Sequence, residues 1–260
     1  MKAFSLLIIS AIAAFAGGIE VQYPAGDITA HGYLALPEGA SAEQPAPGVI
    51  VIHEWWGHND YARSRADKLA ALGYAALAVD MYGEGKSTEH PADAGGFAKE
   101  ATGRAEIMKT RFLAGLKTLQ ERPEVDGEKI ASIGYCMGGM ISLQMAALED
   151  APIAGAASFH GALNINFPEG EAPLKAKFLV CNGEKDNFIP ASAIETFKEN
   201  ITSRKGDLTF ISHPDAVHGF TNPGATALGE KNGINIAYNE AADKESWKAL
   251  QTFLSDLFKK

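Results

Sequence analysis

Gly134-Tyr135-Cys136-Met137-Gly138-Gly139 is a G-x-C-x-G run between a short apolar strand, Lys129 to Ile133, and a helical stretch, Met140 to Leu148. Its flanks decide its reading. Glycines two residues either side of a reactive side chain let the backbone make a tight strand-to-helix turn from which that side chain projects as a nucleophile. Here the side chain is a thiol. The plainer reading of the same residues is a buried structural cysteine at a strand end.

Outward from this turn, short continuous apolar runs alternate with helical segments. The runs are Val49 to Ile52, Ala75 to Val79, Ile130 to Ile133, Ile153 to Ala157, Phe178 to Cys181 and Leu208 to Ile211. Such runs are the signature of parallel strands covered on both faces. The fold class is therefore α/β, with a mostly parallel, doubly wound sheet. Ile19 to Tyr23 and Thr29 to Ala35 alternate and are joined around Pro24-Ala25-Gly26-Asp27, which predicts an antiparallel edge at the N-terminus. Asp60 to Leu72 reads as a helix with Asn59 as its N-cap and Gly73 beyond its end. In the closing helix, Trp247, Leu250, Phe253, Leu254 and Leu257 share one face at three- and four-residue spacing and should dock on the sheet. The stretch from Thr221 to Asn239, rich in Gly and Asn, reads as an irregular loop over the site.

With 260 residues and 46% hydrophobic content, the chain can bury one full core, so a single domain is expected. A formal charge of -9 and the lack of clustered Lys and Arg disfavour nucleic acid as a partner. Gly85-Lys86-Ser87 resembles the end of a phosphate-binding loop, but Asp80 stands where its first glycine belongs, so the segment reads as a turn. His53 and His58 are five apart rather than the four of H-E-x-x-H, so no metal site and no cofactor is expected.

The first residues join Lys2 to an apolar run and end in Ala14-Phe15-Ala16, an A-x-A cleavage pattern. Residues 1–16 are read as a secretory signal peptide and 17–260 as the mature domain, periplasmic or secreted, or cytoplasmic if the signal is not used. A retained anchor or an ordinary apolar N-terminal element is the alternative. The two cysteines, Cys136 and Cys181, are expected to be free, because pairing them would consume the proposed nucleophile.

A thiol nucleophile needs a histidine in reach and an acid to orient that histidine. With the nucleophile at Cys136, the expected chain order is nucleophile, acid, histidine. Asp186, in Asn182-Gly183-Glu184-Lys185-Asp186 after a strand, is placed as the acid, and His218, in the loop after the last strand, as the base. Taken singly, Asp186 could cap the helix beginning near Ala191 and His218 could be a solvated loop residue. Together, all three stand at the carboxyl ends of predicted strands.

At this point the sequence resembles the dienelactone hydrolase (carboxymethylenebutenolidase) family, from about Tyr33 to the last helix. The matching segments are His53-Glu54-Trp55-Trp56-Gly57, Gly134 to Gly139, Gly183-Glu184-Lys185-Asp186 and His218-Gly219-Phe220. The resemblance implies a single-domain α/β-hydrolase with a Cys136, Asp186, His218 triad, and it adds Glu54 as a glutamate beside the resting thiol that takes part in activating it. The expected chemistry is thiolate attack on a small ester or lactone, with the oxyanion held by the backbone N–H groups of Met137 and Trp55. A thioester would follow, released by water that His218 activates.

The resemblance weakens at the substrate. Family members that act on ring-fission lactones bind the substrate carboxylate with arginines, and this chain has Glu84 and Asn222 at those positions. An acidic residue facing a carboxylate is repulsive, which argues against dienelactone as the natural substrate. Lys86 could substitute as a point charge, and Trp56, Tyr82, His160, Phe220 and Asn222 are the other candidate substrate contacts. A monomer is expected. A non-catalytic binding protein on the same fold and a thiol redox protein are the competing functions.

Overall fold

The computed structural model describes residues 17–170 and 172–259, so the proposed signal peptide lies outside the described residues. The chain opens with strands β1 (Ile19–Ala25) and β2 (Ile28–Ala35), an antiparallel pair across the turn at Gly26. Then follow β3 (Ala46–Ile52), helix α1 (Asp60–Ala70), β4 (Ala75–Val79), helices α2 (Pro91–Thr102) and α3 (Ala105–Gln120), β5 (Val125–Tyr135) and α4 (Met137–Ala146). The second half runs β6 (Gly155–Phe159), β7 (Lys177–Gly183), α5 (Ala191–Ser203), β8 (Asp207–His213), α6 (Ala225–Asn232) and α7 (Glu240–Leu257).

Among the described residues these strands form one eight-stranded sheet in the order β1-β2-β4-β3-β5-β6-β7-β8. Only the β1–β2 and β2–β4 pairings are antiparallel; from β4 onward every neighbour is parallel. This is the mostly parallel, doubly wound sheet expected from the apolar runs, with the antiparallel N-terminal edge, and it is the α/β-hydrolase arrangement that the resemblance implies.

The two-residue period of a strand divides the core between the two faces of the sheet. Ile50 and Ile52 of β3 join Leu77, Val79, Phe112 and Ile141 on one side, under α3 and α4. Val49 and Val51 join Leu69, Ile133, Leu250 and Leu254 on the other, under α1 and α7. Leu250 and Leu254 are fully buried, so the docking face predicted for α7 is the one used. Truncating either to Ala should cost about 2–5 kcal/mol. Asn59 and Asn239 cap α1 and α7, accepting from the amides of Ala62 and Ala242 at 3.3 and 3.1 Å. Among the described residues no helix is long and apolar enough to cross a membrane.

One segment departs from the sequence reading. The stretch read as a loop from Thr221 to Asn239 contains α6, opened by Asn222 Oδ1 accepting from Gly224 N at 2.9 Å and closed by Gly233 at φ 64°. Gly229 inside it looks like a breaker in sequence. In space it is a packing requirement, since a Cβ there would lie 2.4 Å from the Ile236 carbonyl oxygen.

Candidate active site

The parallel strands end on one edge of the molecule, and the candidate residues follow those ends. Glu54 lies beyond β3, Asp80 beyond β4, Cys136 beyond β5, His160 beyond β6, Asp186 beyond β7 and His218 beyond β8. Ligands and catalytic groups of open α/β sheets gather at this edge because the loops there converge.

Cys136 joins β5 to α4 with φ 53° and ψ -115°, a conformation that costs a non-glycine residue of order 1–3 kcal/mol. The turn is over-determined by its surroundings. Cys136 N donates to Phe159 O at 3.0 Å, and Gly139 N donates to Cys136 O at 3.0 Å. The flanking glycines serve a close approach of backbone to backbone. A Cβ on Gly134 would lie 2.0 Å from Gly138 O, and one on Gly138 would lie 2.3 Å from Ile52 O. β3 is thereby drawn directly beneath the first turn of α4.

His218 Nδ1 lies 2.8 Å from Asp186 Oδ2. The other carboxylate oxygen accepts from Phe188 N at 2.9 Å, and the Asp186 side chain is wholly excluded from solvent. His218 is sandwiched edge-on by His160 and Phe188, with ring centroids 5.0 and 4.9 Å away. Burial alone would lower the pKa of this imidazole. The neighbouring Cys136 sulfur and the Asp186 carboxylate outweigh it and raise His218 well above the ordinary histidine value.

Glu54 is buried, and Asn222 Nδ2 donates to its Oε2 at 2.6 Å. Desolvation raises its carboxyl to about 7, against the lowering pull of Asn222 and of the positive charges at His218 and Arg65. His53, next to it, is held as the Nδ1–H tautomer: its Nε2 accepts from Met81 N at 3.2 Å, so Nδ1 donates to Glu54 O at 2.6 Å.

Cys136 and His218 open into a cavity of about 340 Å³. It is lined by Trp55, Ala98 of α2, and Met137 and Met140 of α4. Ala162, Phe188, Ile189, and Ile234 and Ile236 from the segment after α6 complete the lining. The amides of Met137 and Trp55 have no hydrogen-bond partner among the described residues. Tyr82 Oη lies 3.0 Å from Trp55 O and 3.3 Å from Met137 Sδ, and so ties these two residues together.

None of the six side chains expected to contact substrate lines this cavity. Trp56, Tyr82, His160, Phe220 and Asn222 are buried among neighbours, and Lys86 is exposed on the turn after β4. Trp56 packs against Ala94 and Ile236, His160 bonds Thr221 behind His218, and Asn222 is committed to Glu54 and Gly224. Their aromatic and polar character is spent on supporting the site. The turn itself is built by Asp80, whose carboxylate accepts from the amides of His31, Tyr82, Gly83 and Gly85 at 2.8–3.1 Å. Despite its burial, those four bonds lower the Asp80 pKa.

Arg65 of α1 is a site residue that no sequence motif marks. It donates to Thr221 O and pairs with Asp243 Oδ1 at 2.7 Å, while its guanidinium lies 5.0–5.3 Å from the ring centroids of Tyr61, Tyr135 and Trp247. Thr221 Oγ1 in turn meets Tyr61 Oη at 2.6 Å and His160 Nε2 at 2.8 Å. The loop that carries His218 is thus clamped from behind. The signal was present in the spacing, because Arg65 falls on the same helix face as the buried Ala62, Ala66 and Leu69. Among the described residues no group of three His, Cys, Asp or Glu side chains is placed to hold a metal ion.

The sequence model of the dienelactone hydrolase family matches residues 30–258. A dienelactone hydrolase-like promiscuous phosphotriesterase from metagenomic libraries, P91, superposes with a TM-score of 0.85 at 33% identity, over 92% of this chain and 98% of that one. A Synechocystis sp. protein, itself provisionally named a carboxymethylenebutenolidase, is 28% identical over 91% of this chain and 96% of its own length. A thermophilic esterase from Thermogutta terrifontis shares the fold, with a TM-score of 0.67 at 15% identity, over 94% of each chain.

Proposed function

The chain belongs to the dienelactone hydrolase family and is a hydrolase of esters or lactones, and from that membership and the site geometry we propose that it works through Cys136 and a thioester acyl-enzyme. The observation that carries the proposal is the strained turn that presents Cys136 to the same cavity as His218, while Asp186 holds the far side of that imidazole. A thiol placed only for packing has no need of a left-handed backbone or of an oriented histidine.

In this mechanism the Cys136 thiolate, its proton transferred to His218 Nε2, attacks the substrate carbonyl, forming a C–S bond as the carbonyl electron pair moves to oxygen. The oxyanion is received by the amides of Met137, at the first turn of α4, and of Trp55. The intermediate collapses with cleavage of the C–O bond, and the leaving alkoxide takes its proton from His218. Water then gives its proton to His218 as it attacks the thioester, and the thiolate departs. Asp186 keeps Nδ1 protonated so that Nε2 faces the reaction.

Glu54 exchanges a proton near neutral pH, because burial has brought its carboxyl to about 7. Its electrostatic coupling to His218 supports a role in setting the protonation of the Cys136–His218 pair. Export through residues 1–16 belongs to the same proposal, and sequencing the N-terminus of material recovered outside the cytoplasm tests it.

The test of the reaction is turnover of a short-chain activated ester by wild type and Cys136→Ala. Hydrolysis by wild type with loss of at least about 10³-fold in kcat/KM for Cys136→Ala is expected. Equal turnover by the two proteins would remove Cys136 from the mechanism.

A further inference from the structure

The cavity that receives Cys136 is almost wholly apolar. Among the described residues no Arg, Lys, Asp or Glu lines it, and its walls are aliphatic, thioether and aromatic side chains. The buried arginines are already committed. Arg65 is held by Asp243 and Thr221, and Arg111 by Met81 O and Glu100, at 2.8 and 3.0 Å. Asn222, the polar side chain that could otherwise turn toward a ligand carboxylate, donates to Glu54. The cation that does reach the lining, His218, is already balanced by Asp186 and the Cys136 sulfur, so a substrate carboxylate entering this space would lose its water and gain no free counter-charge, an outcome that disfavours binding.

Phe188 adds the second observation. It is 55% exposed yet lines the cavity, and its ring meets the edge of His218. Large apolar side chains left in solvent at the mouth of a pocket are covered when the pocket fills. The acyl group stays bonded to Cys136 through both chemical steps, so the part of the substrate that must remain in the cavity is the chain on the carbonyl.

Resting on the thioester reading, we propose that the substrate is a neutral ester or lactone with an apolar acyl chain, and that carboxylate-bearing substrates are excluded. The chain lies against Met140, Ile234 and Ile236 of the lining, where the exposed Phe188 covers it. Selection is by desolvation.

The experiment compares 4-nitrophenyl hexanoate with mono-4-nitrophenyl adipate, which have the same leaving group and chain length and differ by a terminal methyl against a carboxylate. The neutral ester is expected to be favoured in kcat/KM by about 100-fold or more, and Ile234→Arg, which brings a cation to the wall, should cut that ratio at least about tenfold. In parallel, the alkylation rate of Cys136, followed by intact mass, is compared for N-hexylmaleimide and 6-maleimidohexanoic acid, each normalised to 2-mercaptoethanol. A preference of about tenfold or more for the neutral reagent supports the proposal even if neither ester is turned over, in which case the thioester reading alone falls. Equal maleimide rates, or an ester ratio within about threefold of unity, overturn it.

Discussion

Asp186 Oδ2 and His218 Nδ1 lie 2.8 Å apart, with the carboxylate sealed from solvent while 12% of the imidazole side chain remains exposed. Since the acid cannot recruit water as a second partner on that oxygen, its bond to His218 fixes both the ring orientation and the tautomer. Asp186→Asn keeps the volume and can still accept from Phe188 N, but removes the charge. We expect kcat to fall about 10³–10⁴-fold with KM within about threefold of wild type, measured on a neutral activated ester. In the same variant the His218 titration, followed by NMR, should move down from its raised position, because one of the groups holding it there is gone.

Glu54 gives the fold a pH signature. Its carboxyl is raised from 4.5 to about 7 by burial, so the folded state holds this proton more tightly than the unfolded state does. The resulting stabilisation is complete below about pH 4.5 and is lost as pH rises through about 7. Glu54→Gln retains an acceptor for Asn222 and carries no charge. Wild type should therefore lose stability relative to Glu54→Gln between pH 5 and 8, by of order 2–3 kcal/mol in urea denaturation. A constant difference across that range would mean that Glu54 is not desolvated.

Arg65 and Asp243 form a buried pair whose members cannot be removed singly without stranding a charge. Arg65→Met should cost about 3–5 kcal/mol of stability, because Asp243 is left without its partner and Thr221 O without a donor. Activity of the folded fraction should also fall, since the loop after β8 then loses the clamp behind His218. Unchanged kcat at a lowered melting temperature would show that the clamp serves stability alone.

Much of this was legible in the sequence, and the unread part has physical causes. The apolar runs marked the central strands because strands covered on both faces admit little else, and the order Cys136, Asp186, His218 follows from loops that all leave the same edge of the sheet. The cavity walls were hidden because Ala98, Phe188, Ile234 and Ile236 come from separate segments that only the tertiary path brings together. Conversely, Trp56, Tyr82, His160 and Phe220 cluster near the motifs in sequence yet pack behind the site. Gly229 concealed α6, as a glycine needed for close packing cannot be told from a helix breaker without knowing its neighbour.

The two thiols should separate cleanly under oxidation. Cys136 is partly exposed at the cavity, whereas Cys181 is buried in β7 with its thiol pushed up to about 12 by desolvation. Mild peroxide should add oxygen to Cys136 alone, abolish activity, and be reversed by added thiol at the sulfenic stage. Peptide mass mapping that finds oxygen on Cys181 at a comparable rate would contradict the burial.

The most direct test of the thioester route is intact-mass spectrometry of the enzyme quenched in acid during turnover of a 4-nitrophenyl hexanoate solution, alongside Cys136→Ala. A transient hexanoyl adduct on wild type, mapped to Cys136, formed with the nitrophenol burst and absent from the variant, is the predicted result. Sustained turnover with no adduct at any quench time, including in a His218→Ala background where deacylation should stall, would contradict it.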